Sequence, residues 1–129
     1  MDAVRGHRLL AVLWALAVFA EPAIGTYRVD GGDGWALTSH KVMAYLVAFG
    51  LGLAAAGAAE LTSRIDDTQR WLARGAFAVM FAEIGTGYLV EPNEAEGLAL
   101  HITLGTVLAA AVALTAARAF VAAPAPRAT

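Results

Sequence analysis

Residues 9–27 read LLAVLWALAVFAEPAIGTY, a nearly unbroken apolar run of the length that crosses a bilayer as a helix. Three further runs of about 20 residues lie at 39–59, 71–90 and 98–117. The segments between the runs are short and polar, so consecutive helices are expected to lie side by side and antiparallel. The sequence therefore predicts an all-α fold: an integral membrane four-helix up-down bundle, forming a single transmembrane domain over 1–129.

The composition fits a membrane protein and excludes several other classes. The chain has 129 residues, of which 59% are hydrophobic and 16% charged, whereas soluble domains are about 45–50% apolar. Its mean hydropathy is +0.62. A net charge of -2 gives no basic surface for nucleic acid. Because the chain has no cysteine, disulfides, thiolate metal sites and thiol nucleophiles are excluded.

The distribution of cations predicts the orientation in the membrane. Seven arginines fall at the termini and in the middle loop, and two cations fall on the other side. The first group is Arg5, Arg8, Arg64, Arg70, Arg74, Arg118 and Arg127, and the second is Arg28 and Lys41. The positive-inside rule then places both termini in the cytoplasm of a multi-pass protein of the cell membrane. Residues 120–129 are expected to form a disordered cytoplasmic tail.

The two halves of the chain resemble each other. Residues 19–27 read FAEPAIGTY and residues 81–88 read FAEIGTGY. The separation between Glu21 and His40 is only one position longer than the separation between Glu83 and His101. Two tandem helix-hairpin repeats, related by a pseudo-two-fold axis along the membrane normal, would produce this pattern. That symmetry makes His40 equivalent to His101, and Glu21 equivalent to Glu83.

A stripe of small residues follows each histidine at helical spacing. The stripe after His40 is Ala44, Ala48, Gly52 and Ala56, and the stripe after His101 is Gly105, Ala109, Ala113 and Ala117. Residues four apart share one helix face, and small residues on membrane helices let a neighbouring helix or a bulky ligand approach. Each histidine is therefore expected to head a face that points into the bundle.

Two neutral imidazoles at one depth, facing each other across a two-fold axis, suit the axial positions of a six-coordinate haem iron. We predict haem b with His40 and His101 as ligands and with Ala44 and Gly105 making room for the macrocycle. Arg28 is placed to neutralise the propionates. The alternative for each histidine is a hydrogen bond to lipid headgroups or to a loop carbonyl oxygen, and the alternative for Arg28 is a headgroup contact. His7, in the basic N-terminal segment, is expected to be exposed.

Glu21 and Glu83 lie within apolar runs, where a carboxyl group costs about 3 kcal/mol and is usually turned inward, paired or protonated. One interpretation is that both act as neutral hydrogen-bonding acids. Their partners would come from Thr26, Thr86 and Thr103. Two functional interpretations are proton transfer coupled to a redox step and direct metal ligation in a mononuclear site of two Glu and two His.

The chain resembles one four-helix half of a haem A synthase. Residues 25–34, GTYRVDGGDG, are similar to that family's glycine-rich first outer loop, His40-Lys41 to its His-Arg opening of the second helix, and His101 to its fourth-helix ligand. The resemblance implies haem ligation by these two histidines near the outer surface. The family's cysteines are absent, and Leu37 replaces its common Glu. The chain also resembles small four-helix bacterial membrane proteins of unknown function with a His on helices two and four.

The first functional hypothesis is a b-type haem-binding membrane protein that transfers electrons or serves as a haem-carrying subunit, without being a stand-alone enzyme. Its expected partners are the lipid bilayer and a membrane redox protein or a quinone. Two alternatives are a cofactor-free structural or assembly subunit and a haem A synthase-like enzyme. Because small-residue faces serve packing within and between chains, an oligomer fits the same pattern.

Overall fold

The computed structural model describes residues 2–29, 34–89 and 95–121, and the described residues form four helices. Helix α1 is Ala3–Val29, α3 is Asp67–Leu89 and α4 is Ala95–Arg118. Helix α2 runs without a break through three segments, Gly34–Val42, Met43–Ala48 and Phe49–Leu61. The predicted all-α fold is confirmed. Most of the predicted disordered tail, residues 122–129, lies outside the described residues.

The middle segment of α2, Met43–Ala48, is π-helical. The N–H of Phe49 donates to the carbonyl oxygen of Ala44, five residues earlier, instead of four as in an α-helix. A π-helical turn of this kind holds one residue more than the α-helical path it replaces, and such turns are frequent at functional sites.

Three helices are long and apolar enough to cross a membrane, over Ala3–Ile24, Thr38–Leu61 and Gly97–Arg118. These contain the predicted spans at 39–59 and 98–117 and most of the one at 9–27. The span predicted at 71–90 corresponds to α3, which is as long but more polar. Its charged residues are Asp67, Arg70, Arg74 and Glu83.

Each helix packs against two neighbours, since α1 and α3 both contact α2 and α4. The first turns of α1 and α3 meet the last turns of α2 and α4, as the contacts of His7 with Ala55 and of Gln69 with Thr115 show. We call this the termini end. At the opposite end, which we call the Glu–His end, the last turns of α1 and α3 meet the first turns of α2 and α4.

Trp14 fills the centre between the two ends. Its side chain is fully buried, and its Nε1–H donates to the sulfur of Met80 at 3.3 Å. The indole lies directly against Gly52, where an added Cβ would stand 2.8 Å from the Trp14 ring. Glycine at position 52 is thus required by the close approach of α1 and α2.

Gly52→Ala is expected to destabilise the protein by about 1–3 kcal/mol, because the new methyl group overlaps the indole and neither helix can move freely. Gly50→Ala is the matched control, since no atom lies within 4 Å of the Cβ position there. Thermal unfolding of the two variants in the same detergent measures the difference. Equal midpoints would contradict the packing described around Trp14.

The outer faces of the helices carry large apolar side chains that are exposed in the isolated chain. Those on α1 and α2 include Leu9, Leu13, Leu16, Phe19, Leu46 and Leu53. Such a surface is compatible with contact to a lipid bilayer, where apolar side chains face hydrocarbon.

Candidate functional site

The last turns of α1 and the first turns of α2 bring a carboxyl group onto an imidazole. Nδ1 of His40 lies 2.6 Å from Oε2 of Glu21. Pro22 follows Glu21 inside α1, and its missing N–H leaves the carbonyl oxygen of Val18 without its usual helical donor. Glu21 and His40, both identified from the sequence pattern, therefore form a contact between the two helices of one hairpin.

The second hairpin repeats this contact. Nδ1 of His101 lies 3.0 Å from Oε2 of Glu83. The hydroxyl of Thr86 lies 3.4 Å from the same carboxyl oxygen and donates to the carbonyl oxygen of Glu83 at 2.9 Å. Of the predicted hydrogen-bonding partners, Thr86 thus contacts Glu83. Thr103 instead donates to the carbonyl oxygen of Ala99.

Two glycines shape the second pair. A Cβ at Gly87 would lie 2.9 Å from Cε1 of His101, so this ring rests on the α3 backbone. A Cβ at Gly105 would lie 3.3 Å from Oε1 of Glu83. Gly105 was expected to make room for a haem macrocycle. In the structure, the carboxyl group of Glu83 lies close to it instead.

A carboxylate beside Nδ1 fixes both the orientation and the tautomer of an imidazole. A neutral ring that donates its Nδ1–H to such a carboxylate keeps its lone pair on Nε2. This arrangement is the usual outer shell of metal-bound histidines, and it makes the coordinating nitrogen more basic. Both His40 and His101 have the chemistry of an Nε2 ligand.

The remaining predicted site residues are placed as follows. Ala44 lies in the π-helical segment of α2. Arg28 belongs to α1, but its side chain and that of Thr26 are outside the described part of the chain. Within the described ranges, no group of three His, Asp or Glu side chains lies close enough together to hold one metal ion.

The prediction that His7 is exposed is wrong. Its side chain is 1% exposed because α1 begins at Ala3, so that position 7 already faces the neighbouring helices. The Nδ1–H of His7 donates to the carbonyl oxygen of Ala55 at 3.1 Å. Nε2 of Gln69 donates both to Nε2 of His7 and to the carbonyl oxygen of Thr115, each at 2.9 Å.

The termini end repeats in the two halves just as the Glu–His end does. Gln69 is separated from His7 by the same number of positions as Glu83 from Glu21, and His7 and Gln69 each donate to a carbonyl oxygen late in the next helix. One position further on, Nε of Arg8 donates to the oxygen of Ala119 at 2.7 Å. Nε of Arg70 donates to the oxygen of Ala59 at 3.3 Å.

The π-helical segment explains how α2 makes the same contacts as α4 at both the Glu–His end and the termini end. The path from His40 to Ala55 is one position longer than the path from His101 to Thr115, the counterpart of Ala55. The second path, on α4, is α-helical throughout, and the first contains Met43–Ala48. The π turn takes up the additional residue, so α2 reaches the termini end in the same register as α4.

Comparisons of the chain with protein-family models, with curated proteins and with solved structures find no match. What can be said of function therefore comes from the geometry of the two Glu–His pairs. The sequence pattern identified all four residues but not their contacts. The signal for those contacts was the nearly equal separation of Glu and His in the two halves, across a hairpin whose helices lie side by side.

Proposed function

We propose that this chain is a multi-pass integral membrane protein that binds a b-type haem, which His40 and His101 would hold. The single observation that carries the proposal is that Nδ1 of each histidine contacts a carboxyl group, of Glu21 and of Glu83, at 2.6 and 3.0 Å. Two rings held in the same way at corresponding positions suit two equivalent ligand sites.

The placement of the ligands suits a group held between α2 and α4, because each of these helices packs against both α1 and α3. The two imidazole side chains are 22% and 31% exposed, so neither is sealed in the core. The donor set fits as well, since two neutral imidazoles make a six-coordinate haem site. Lys41, next to His40 in sequence, and Arg28 supply positive charge near that end for the propionates.

In the proposed membrane arrangement, the helices form an up-down bundle of two tandem hairpin repeats. The recurrence of contacts at both ends of the bundle supports it. We propose that α3 also spans the membrane, in addition to the three helices that are apolar enough by themselves. Arg70 and Arg74 then lie near its inner end, and Glu83 is paired with His101. Both termini then lie in the cytoplasm, where most of the arginines gather.

Bound haem supplies one-electron redox chemistry, which suits electron transfer or a haem-carrying subunit. The chain's own residues would have two main tasks. The histidines would hold the haem through Nε2, and Glu21 and Glu83, which lie beside Nδ1, would keep the rings oriented. The small residue Ala44 would leave room beside His40, while Gly105 leaves room for the carboxyl group of Glu83. A membrane redox protein or a quinone would be the electron partner, and the resemblance to a haem A synthase half is consistent with this site.

The visible spectrum of the detergent-purified full chain tests the proposal. The reduced protein is expected to show a sharp α-band, and His40→Ala and His101→Ala are each expected to abolish it. His7→Gln is the matched control, because it removes the third histidine and installs the residue found at the equivalent position 69. Loss of the band in His7→Gln alone, or its survival in both alanine variants, would contradict the assignment.

A colourless, folded wild-type protein, obtained with adequate haem supply, would favour a cofactor-free structural or assembly subunit. One observation favours this second function: each carboxyl group already has an imidazole beside it, so the pairs can serve as interhelical contacts alone. A haem A synthase-like activity would in addition require conversion of added haem.

A further inference from the structure

A groove of about 410 Å³ lies at the termini end, where the start of α1 meets the chain just after α4. It is lined by Arg5, Arg8, Leu9, Val12 and Phe120. The Arg8 guanidinium is held in place from two sides: its Nε donates to the carbonyl oxygen of Ala119, and its central carbon lies 5.6 Å from the centre of the Phe120 ring. The groove thus combines two cations with an apolar wall.

Within the part of the chain that the structure describes, no ion pair balances the charge of this groove. Other arginines of the termini end have carboxylate partners, in the pairs Arg70–Asp67, Arg74–Glu60 and Arg118–Asp66. Among the described residues, neither Arg5 nor Arg8 takes part in such an ion pair. The nearby carboxyl group of Asp2 accepts from the N–H of Val4.

The opposite side of the bundle provides an internal comparison. Arg70 corresponds to Arg8 and likewise donates to a late carbonyl oxygen, of Ala59. Its guanidinium, however, also binds Asp67 at 3.0 Å, and the neighbouring Arg74 is held by Glu60 at 2.6 Å. The arginines beside this groove therefore lack the carboxylate partners that Arg70 and Arg74 have on the opposite side.

We propose that this groove binds an anionic phospholipid, with the phosphate between Arg5 and Arg8 and an acyl chain along Leu9, Val12 and Phe120. Guanidinium groups bind phosphate oxygens through paired N–H donors. Basic pockets beside membrane helices on the cytoplasmic side bind anionic headgroups. The apolar wall selects a lipid over free phosphate. This inference rests on the proposed membrane location and is independent of haem.

The test is lipid binding to the delipidated full chain in detergent, measured by native mass spectrometry. The probes are phosphatidylglycerol and phosphatidylcholine with identical acyl chains. We expect preferential binding of the anionic lipid, about fivefold weaker in Arg5→Gln and about 25-fold weaker in the double variant Arg5→Gln/Arg8→Gln. Arg5→Gln leaves the hydrogen bond of Arg8 to Ala119 intact, so it separates lipid binding from folding.

Arg64→Gln is the matched control, because it removes one exposed arginine from the same end but outside the groove. Its affinity for phosphatidylglycerol is expected to equal that of the wild type. Equal binding of the two lipids, equal weakening by Arg64→Gln, or full displacement of the lipid by inorganic phosphate would overturn the proposal. The haem spectrum, measured on the same variants, is expected to stay unchanged, so failure of one proposal is distinguishable from failure of the other.

Discussion

A chain that lacks Leu46 is expected to fold, whereas a chain that lacks Val107 is expected to lose its fold. Each residue follows the histidine of its hairpin by six positions, and each is exposed, at 71% and 48%. Leu46 lies in the π-helical segment, where removal of one residue restores an ordinary α-helix with both ends in register. Val107 lies in regular α-helix, where the same deletion rotates everything beyond it by about 100°.

The rotation in α4 would turn Val112 out of the core and separate Thr115 from Gln69. Emptying a core position of this kind costs about 2–5 kcal/mol, a large part of the stability of a small domain. Size-exclusion chromatography and thermal unfolding in detergent measure the outcome. If both deletions behave alike, the π turn does not hold an additional residue and the equivalence of the two termini-end contacts fails.

The second large effect is expected from the carboxyl groups at the Glu–His end. Glu21→Gln and Glu83→Gln keep the shape of the side chain but remove the negative charge that makes Nε2 of each imidazole a stronger electron-pair donor to a metal. Loss of such an outer-shell partner lowers metal affinity by about 10–100-fold. The negative carboxylates stabilise the ferric haem, which is more positive than the ferrous haem, so their neutralisation is expected to raise the haem reduction potential. The rise is about 60 mV for each factor of ten by which ferric haem loses more affinity than ferrous haem.

Haem titration and redox potentiometry check this expectation. Glu60→Gln is the matched control, because it makes the same chemical change in a carboxyl group that binds Arg74 at the other end of the bundle. Unchanged affinity and potential in both site variants would show that the carboxyl groups do not act through the imidazoles.

The fold class was predictable because the length of an apolar run is a direct physical measure of what can span hydrocarbon. The helix boundaries were not, because apolar runs do not mark where a helix ends. Helix α1 begins at Ala3, well before its apolar run, since Arg5 and Arg8 are good helix formers and His7 finds partners on neighbouring helices.

The site was predictable as a set of residues and not as a set of contacts. Periodicity and the resemblance between the two halves of the sequence identified Glu21, His40, Glu83 and His101. Their pairing depends on how far the last turn of one helix overlaps the first turn of the next, which the intervening loop decides. The buried position of His7 likewise depends on a helix start that the sequence pattern did not indicate.

The buried Trp14 has a consequence for sidedness. The indole closes the middle of the bundle against Gly52 and Met80, with the fully buried Val112 nearby. If the bundle spans a membrane as proposed, this packed layer is expected to separate the water on its two sides, so conduction of ions or protons past Trp14 is not expected. In the proposed topology, any proton that Glu21 or Glu83 exchanges would then come from, and return to, the solution at the Glu–His end.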